Sequence, residues 1–594
     1  MFPFHRRHTV LAHAVGISSL FFMFLLFGCG SGSNSGSAPA SVAATGTPGA
    51  QADVGERLFV ETRFSQFFKT HLPPSGNVND PFPAGDPVVA KVFLPGGNPA
   101  GVVSPFAGMS MNCRSCHFVD EFVGVPGGGM RTYTDFAVRS PIPSRPDGRL
   151  TAPRNSPPLV NASLDRPGGA LFHFDGEFST LEDLIVGTFT GRNFGWLPGQ
   201  KAEAIHHIAR VMREDDGTGA IAQQFDGLSY SALFTGANPN IPDELRLPPE
   251  FRVNIHSASD QEVFDAVVKV VAAYVNGLRF SQTDDANNLI RSPFDVFLSR
   301  NGLPQQPNSG ESPLDYSRRL LTLINGLANP QFVTRNPNNP SLNGKFQFHG
   351  NQPFVFDAQE LEGLKIFLTE PAAPPTASPA EVLVGKVGNC LACHAAPNFT
   401  DFKLHNTGIA QSEYDTIHGI GAFLALTIPP FIGPGARTDN DLPATEQHPG
   451  ASERFRSIPT AGTTLTDLGV WNIFLNPDMS DPLVSNPQAK IKAILCEEHL
   501  PVACSTISDS VLLDESIARF KTPGLRDLGH SAPYMHNGQF VALDNAVGFY
   551  LGSSSDMRGG TLRNGARALQ GIALLQADIA PLVAFLKSLN EDYQ

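Results

Sequence analysis

Four stretches of the chain repeat apolar residues at helical spacing, and they fall into two pairs. In "DVGERLFVETRFSQFF" (53–68) and "DAQELEGLKIFLTE" (357–370) the apolar positions line one face; in the second these are Leu361, Leu364, Ile366 and Phe367. In "DQEVFDAVVKVVAAYVNGLRF" (260–280) Val263, Val267, Val270, Val271 and Tyr274 recur in the same way, as do Ile579, Leu582, Val583, Leu586 and Leu589 in "ADIAPLVAFLKSLNEDY" (577–593). The pattern predicts an early and a late helix in each half, hence an internal repeat of domain type. The polar, turn-rich "SQTDDANNLIRSP" (281–293) marks the expected boundary, giving units over 53–285 and 286–594. Residues 197–250 and 300–355, rich in Pro, Asn and Gly, read as surface elaborations. The expected fold class is mainly α, with long ordered loops and insertions.

Composition refines this picture. A chain of 594 residues exceeds one ordinary core, and 41% hydrophobic with 16% charged residues suits a folded body. The 56 glycines and 50 prolines account for the long loops. A formal net charge of -14 argues against nucleic acid as a partner. The N-terminus has Arg6, Arg7 and His8, then an apolar run, then a Gly/Ser/Ala-rich tail, which together read as an export signal. Its "LFGC" (Leu26 to Cys29) resembles the lipobox of bacterial lipoproteins. That resemblance implies a signal peptide over 1–28, lipidation of Cys29 and a flexible tether over 29–52. Gly30 after the cysteine implies outer-membrane sorting, so the body would face the periplasm and meet membrane only through its lipid.

The remaining six cysteines are unevenly placed. Cys496 and Cys504, in "CEEHLPVAC", suit a local disulfide in an oxidising compartment, with free buried thiols as the other reading. The other four make two Cys-x-x-Cys-His motifs: Cys113, Cys116 and His117 in "NCRSCH", and Cys390, Cys393 and His394 in "NCLACH". At this composition chance supplies ~0.002 such motifs. The spacing has a chemical reason: two thiols one turn apart can add to the vinyl groups along one haem edge. The adjacent histidine then presents its imidazole to the iron. Zinc would want a further Cys or His pair nearby, and none adjoins. Two covalent haems c are therefore expected, one per cytochrome c-like domain, with His117 and His394 as iron ligands.

Four further segments carry a resemblance: "APRNSPPLVNASL" (152–164), "LFHFDGEFSTLEDLIVG" (171–187), "FTDFKLHNTG" (399–408) and "FKTPGLRDLGHSAPYMHNGQFVALDNAVGFY" (520–550). Together they resemble the bacterial diheme cytochrome c peroxidase and MauG superfamily, from about residue 53 to the end. The resemblance implies a reactive first haem at His117 and an electron-transfer second haem at His394. It also implies a sixth ligand to the second iron, for which Tyr550 in "NAVGFY" is the expected residue and Met535 the competitor. Phenolate favours higher iron oxidation states, thioether the reduced one. A calcium ion between the domains is implied as well, held by Asn155 and the carbonyls of Ser531 and Pro533. His405 and His530 are expected in structural or propionate-contacting roles.

The chain departs from the family on the distal side of the first haem. Leu184 stands where a glutamine is usual, and "TGRNFGW" offers no carboxylate. Arg192 and Asn193 are the candidates for polarising a bound peroxide, and Arg192 equally for pairing a haem propionate. Phe174 replaces the inter-haem tryptophan; Trp196 and Trp471 do not align there. His173 is the candidate for a removable sixth ligand, in a first haem expected to be open already. The expected function is hydrogen peroxide reduction with electrons from a small cytochrome c or cupredoxin. The alternatives are a MauG-like oxidase of a protein or organic substrate, and an electron-transfer conduit without substrate chemistry.

Overall fold

The computed structural model is described for residues 49–72, 76–80, 112–113, 116–120, 131–133, 147, 149, 151–159, 161–164, 166, 168–223, 225–236, 238–279, 292–334, 354–430, 439–474, 476–479, 487–528 and 531–590. Cys29, the leader and tether up to residue 48, His530 and most of the expected boundary lie outside these residues.

All four periodic stretches contain helices: Ala50–Phe59, Asp260–Gly277, Ala358–Leu368 and Ile579–Lys587. The first stretch breaks after Phe59 and resumes as Gln66–His71, where Ser65 accepts the Phe68 N–H as an N-cap. The two long middle helices start on capping boxes, Ser259 with Glu262 and Asp357 with Glu360.

Within each pair, the early helix crosses the late one at a glycine. A Cβ on Gly55 would lie 2.5 Å from the Val270 carbonyl oxygen. A Cβ on Gly363 would strike the Pro581 carbonyl. Backbones this close leave no room for a side chain, so the same crossing is built twice.

The described residues from 49 onward form one compact unit containing separate apolar clusters. One gathers Val54, Leu58, Ile208, Val267 and Val271; a second gathers Phe297, Leu364, Phe399, Phe585 and Leu589. Among the described residues the regular structure is mainly helical, with two short antiparallel strand pairs. In one of them Leu404 faces Lys521 and His405 faces Phe520.

Two expectations need correction. Residues 197–250 are not surface elaborations, because the Lys201–Glu214 helix puts Ile208, Ala209, Val211 and Met212 into the first core, joined by Tyr230, Leu233 and Leu247. Likewise Tyr316, Leu320 and Ile324 of the Pro313–Asn325 helix enter the second core. Loop-rich composition conceals short apolar faces that are buried only after folding. A third cluster, with Phe455, Trp471, Ile473 and Leu512, was not anticipated. Cys496 belongs to it, Cys504 packs against it, and the two form a disulfide with a Cα–Cα distance of 5.3 Å. Among the described residues, no helix is long and apolar enough to cross a membrane.

Candidate functional site

Both Cys-x-x-Cys-His motifs adopt the same single turn. The His117 N–H donates to the Cys113 carbonyl (2.8 Å) and the Cys116 N–H to the same oxygen (3.1 Å). The His394 and Cys393 N–H groups donate to the Cys390 carbonyl at 2.7 and 3.1 Å. The four thiols are unbridged.

A downstream loop orients each imidazole. His117 bonds the Pro157 carbonyl, and burial pushes the ring down to about 4, so it is neutral at ordinary pH. His394 Nδ1 bonds the Phe399 carbonyl at 2.9 Å, with the Pro523 carbonyl also in reach, and burial lowers it too. For His394, the carbonyl on Nδ1 favours the tautomer that leaves the Nε2 lone pair for a metal. Paired thiols, a neutral imidazole and a carbonyl behind it suit a c-type haem at either motif.

The first motif opens into a cavity of about 1420 Å³. Its wall includes Cys113, Cys116, His117, His173, Leu184, Arg192 and Asn193. Thr180 caps the Leu181–Phe189 helix, which ends just before the turn carrying Arg192 and Asn193. His173 has φ +60, the left-handed region costly for a non-glycine, and its Nδ1 lies 3.0 Å from Glu177 Oε2.

The carboxylate absent from the local sequence arrives from 261 residues away: Arg192 donates to Glu453 Oε1 at 2.9 Å. Glu453 lines the cavity, is only 2% exposed, and also accepts from Arg149 and from the Ala444 N–H (3.3 Å). Its own φ of +52 is left-handed, so the loop holds it against backbone strain.

Beneath this lies a web of buried ions. Arg154 grips Asp467 with two bonds (2.6 and 2.8 Å) and reaches Asp175 at 2.5 Å. Arg456 bonds Glu177 at 3.0 Å and lies 3.3 Å from Asp175. Glu453, Arg456 and Asp467 sit in "SERFRSIPTAGTTLTD", a stretch with no motif to announce them; only the fold brings them to the "FDGEF" loop.

Asn155 donates its amide to the Pro533 carbonyl at 2.5 Å, while its Oδ1 accepts the Ser156 N–H. Two of the expected calcium ligands are thus bonded to each other or to neighbouring backbone, which does not support the expected calcium site.

The second motif has different company. Burial pushes the Tyr550 phenol above its usual range, and Cys393 and Cys390 close by add to this. Met535 packs at the edge of the second core with φ +71. His405 bonds Asp401 (2.7 Å) and touches Cys393. A run of rings leads back toward the first cavity: His405 faces Phe520 across the strands, and Phe520 stacks on His536 with centroids 3.6 Å apart. His536 meets Phe174 edge-on at 6.5 Å, and Phe174 is on the cavity wall.

No family profile matches the chain. It is 27% identical over 211 residues to cytochrome-c peroxidase IdrP2 of Denitromonas iodatirespirans, covering 35% of this chain and 38% of that protein. It is 36% identical over 76 residues to cytochrome-c peroxidase IdrP1 of the same organism, covering 13% of this chain and 19% of that one. The chain therefore spans well under half the length of these relatives. Among solved structures, the diheme peroxidase BthA from Burkholderia thailandensis is similar at 16% identity and a TM-score of 0.36, covering 88% of this chain and 89% of that one. A MauG-like protein associated with microbial copper homeostasis is similar at 15% identity and a TM-score of 0.37, covering 92% and 91%.

Proposed function

We propose that this chain, which is similar to the diheme cytochrome c peroxidase and MauG superfamily, is an exported, lipid-anchored oxidoreductase that reduces hydrogen peroxide with electrons from a small redox protein. One observation carries the reading: a Cys-x-x-Cys-His turn opens into a large cavity that also holds Arg192, Asn193 and the buried carboxylate of Glu453.

Cys113, Cys116 and His117 would hold one haem c, and Cys390, Cys393 and His394 the other, with Tyr550 as sixth ligand of the second. Haem at these positions supplies redox-active iron that accepts and passes single electrons. Everything else falls to the side chains. The Arg192 guanidinium and the Asn193 amide donate hydrogen bonds to a peroxide oxygen, polarising it without solvent reorganisation. Glu453 Oε1, beside Arg192, takes a proton from one peroxide oxygen and returns it to the other. The balance is one peroxide, two electrons and two protons giving two waters. Arg149 and Arg192 hold the Glu453 carboxylate in place, and its burial keeps bulk water from competing for the proton.

A second reading, MauG-like oxidation of a protein or organic substrate, is favoured by one feature, the Tyr550 phenol beside Cys390 and Cys393. Electron paramagnetic resonance of the oxidised, haem-loaded protein tests the proposal, before and after one equivalent of peroxide. A high-spin signal that vanishes with peroxide is expected. Two low-spin haems unmoved by peroxide would leave an electron conduit in place of an enzyme. Consumption of a reduced cytochrome together with peroxide separates peroxidase from oxidase.

A further inference from the structure

The cavity wall is rich in cations, and nearly all of them are answered by carboxylates. Arg149 and Arg192 meet Glu453; Arg154 meets Asp175 and Asp467; Arg456 meets Asp175 and Glu177; Arg526 meets Asp295. Lys201 is exposed. Arg166 and Lys521 stand apart. Both line the cavity, and neither has a carboxylate partner among the described residues.

Their hydrogen bonds go to backbone oxygens, and they converge on one of them. Arg166 donates to the Leu171 carbonyl at 2.6 Å and the Gly169 carbonyl at 3.0 Å. Lys521 Nζ donates to the same Leu171 oxygen at 3.2 Å. Behind them Lys490 reaches the Ala170 and Ser179 carbonyls, each at 3.3 Å, again with no carboxylate among the described residues. Three cations therefore share the 169–171 turn. Burial lowers each of them from its ordinary value, Arg166 to about 10 and Lys521 to about 7, and the charge of Arg166 lowers both lysines further. Like charges gathered on a cavity wall without a counter-ion are costly, and a folded protein retains them where an anion completes the set.

Haem c brings two carboxylates, on the edge remote from the vinyl groups. Cys113 and Cys116 claim the vinyl edge, so the carboxylate edge needs cations elsewhere on the wall. We propose that Arg166 and Lys521, backed by Lys490, hold the carboxylates of the haem attached at Cys113 and Cys116; this rests on the haem reading above. The position has a consequence for electron flow. The Lys521 N–H donates to the Phe174 carbonyl at 2.6 Å, and Lys521 lies two residues before Pro523, whose carbonyl reaches His394. One of the charges proposed to tune the first haem, Lys521, thus sits on the segment that also reaches the second haem's ligand.

The test uses the haem-loaded protein and the variants Lys521→Met, Arg166→Met, their double, and Lys521→Arg. A pyridine haemochrome assay counts haems per chain, resonance Raman reads the propionate bending band, and a redox titration gives the potential of each haem. With two haems per chain throughout, the single Met variants are expected to shift the first haem's propionate band. Its potential should fall, since removing positive charge favours ferric iron. The double variant should shift both further, and Lys521→Arg should restore them. Two haems per chain with band and potential unmoved in the double variant would overturn the assignment while leaving the haem reading intact. Wild type without haem at Cys113 and Cys116 would overturn the haem reading and this assignment with it. Acetate or phosphate binding that Lys521→Met abolishes, with the Raman band unmoved, would show a site for a free anion and overturn it too.

Discussion

Replacing Asp467 with asparagine tests how the first site is held to the rest of the molecule. Arg154 immediately precedes Asn155 on the cavity wall, and its guanidinium is anchored by two bonds to Asp467 and one contact to Asp175. Burial raises the Asp467 carboxyl, but Arg154 more than offsets that, bringing it from 3.8 to about 2. At 1.36 kcal/mol per tenfold change in proton affinity, that depression corresponds to about 2.5 kcal/mol of native stability. Breaking a buried pair outright costs about 3–5 kcal/mol, but here Arg154 keeps Asp175. We therefore expect Asp467→Asn to cost about 2 kcal/mol near neutral pH, read by denaturant unfolding of the haem-loaded protein. The sign with pH follows from a folded pKa below the unfolded one. The contribution is complete above about 4 and is lost as pH falls toward 2. Wild type should accordingly lose stability relative to the variant across that window. A variant within about 0.5 kcal/mol of wild type at neutral pH, or two curves running parallel from pH 4 to 2, would refute the reasoning.

Glu453→Gln keeps the shape beside Arg192 but removes the proposed proton acceptor, so the proposed peroxide turnover should fall about 10²–10⁴-fold with both haems still attached, by stopped-flow mixing. Tyr550→Met should raise the potential of the second haem in a redox titration while Met535→Leu leaves it unchanged; the reverse result would transfer the ligand role to Met535. Phe174→Trp should speed electron exchange between the haems, because indole is the better hole carrier at the cavity end of the Phe174–His536–Phe520 run. In the first core, burial raises Glu61 but Arg63 holds it at about 2. Glu61→Gln should thus remove about 3 kcal/mol that wild type holds above about 4.5 and loses toward pH 2, seen as a shifted acid-unfolding midpoint.

What could be read from the residues in order was whatever depends on neighbours in sequence. The apolar spacing of Val263, Val267, Val270 and Val271 marks a helix because one turn suffices to bring them together, and the Asp260–Gly277 helix buries them. The Cys-x-x-Cys-His turn is equally local, closed by N–H groups of Cys116 and His117 on a single Cys113 carbonyl. The tertiary structure decided everything that joins distant segments. Leu184 and "TGRNFGW" showed a missing carboxylate, and nothing near them could show that Glu453 would fill the gap. The same holds for Asp467 paired with Arg154 and for Lys521 sharing the Leu171 oxygen with Arg166. Segments judged loops by their Pro and Gly content entered the cores because short apolar faces become visible only against the surface they cover. Spacing along the chain encodes contacts within a turn or two. A charge pair across hundreds of residues exists only once the cores have formed and excluded the water that would otherwise solvate both partners.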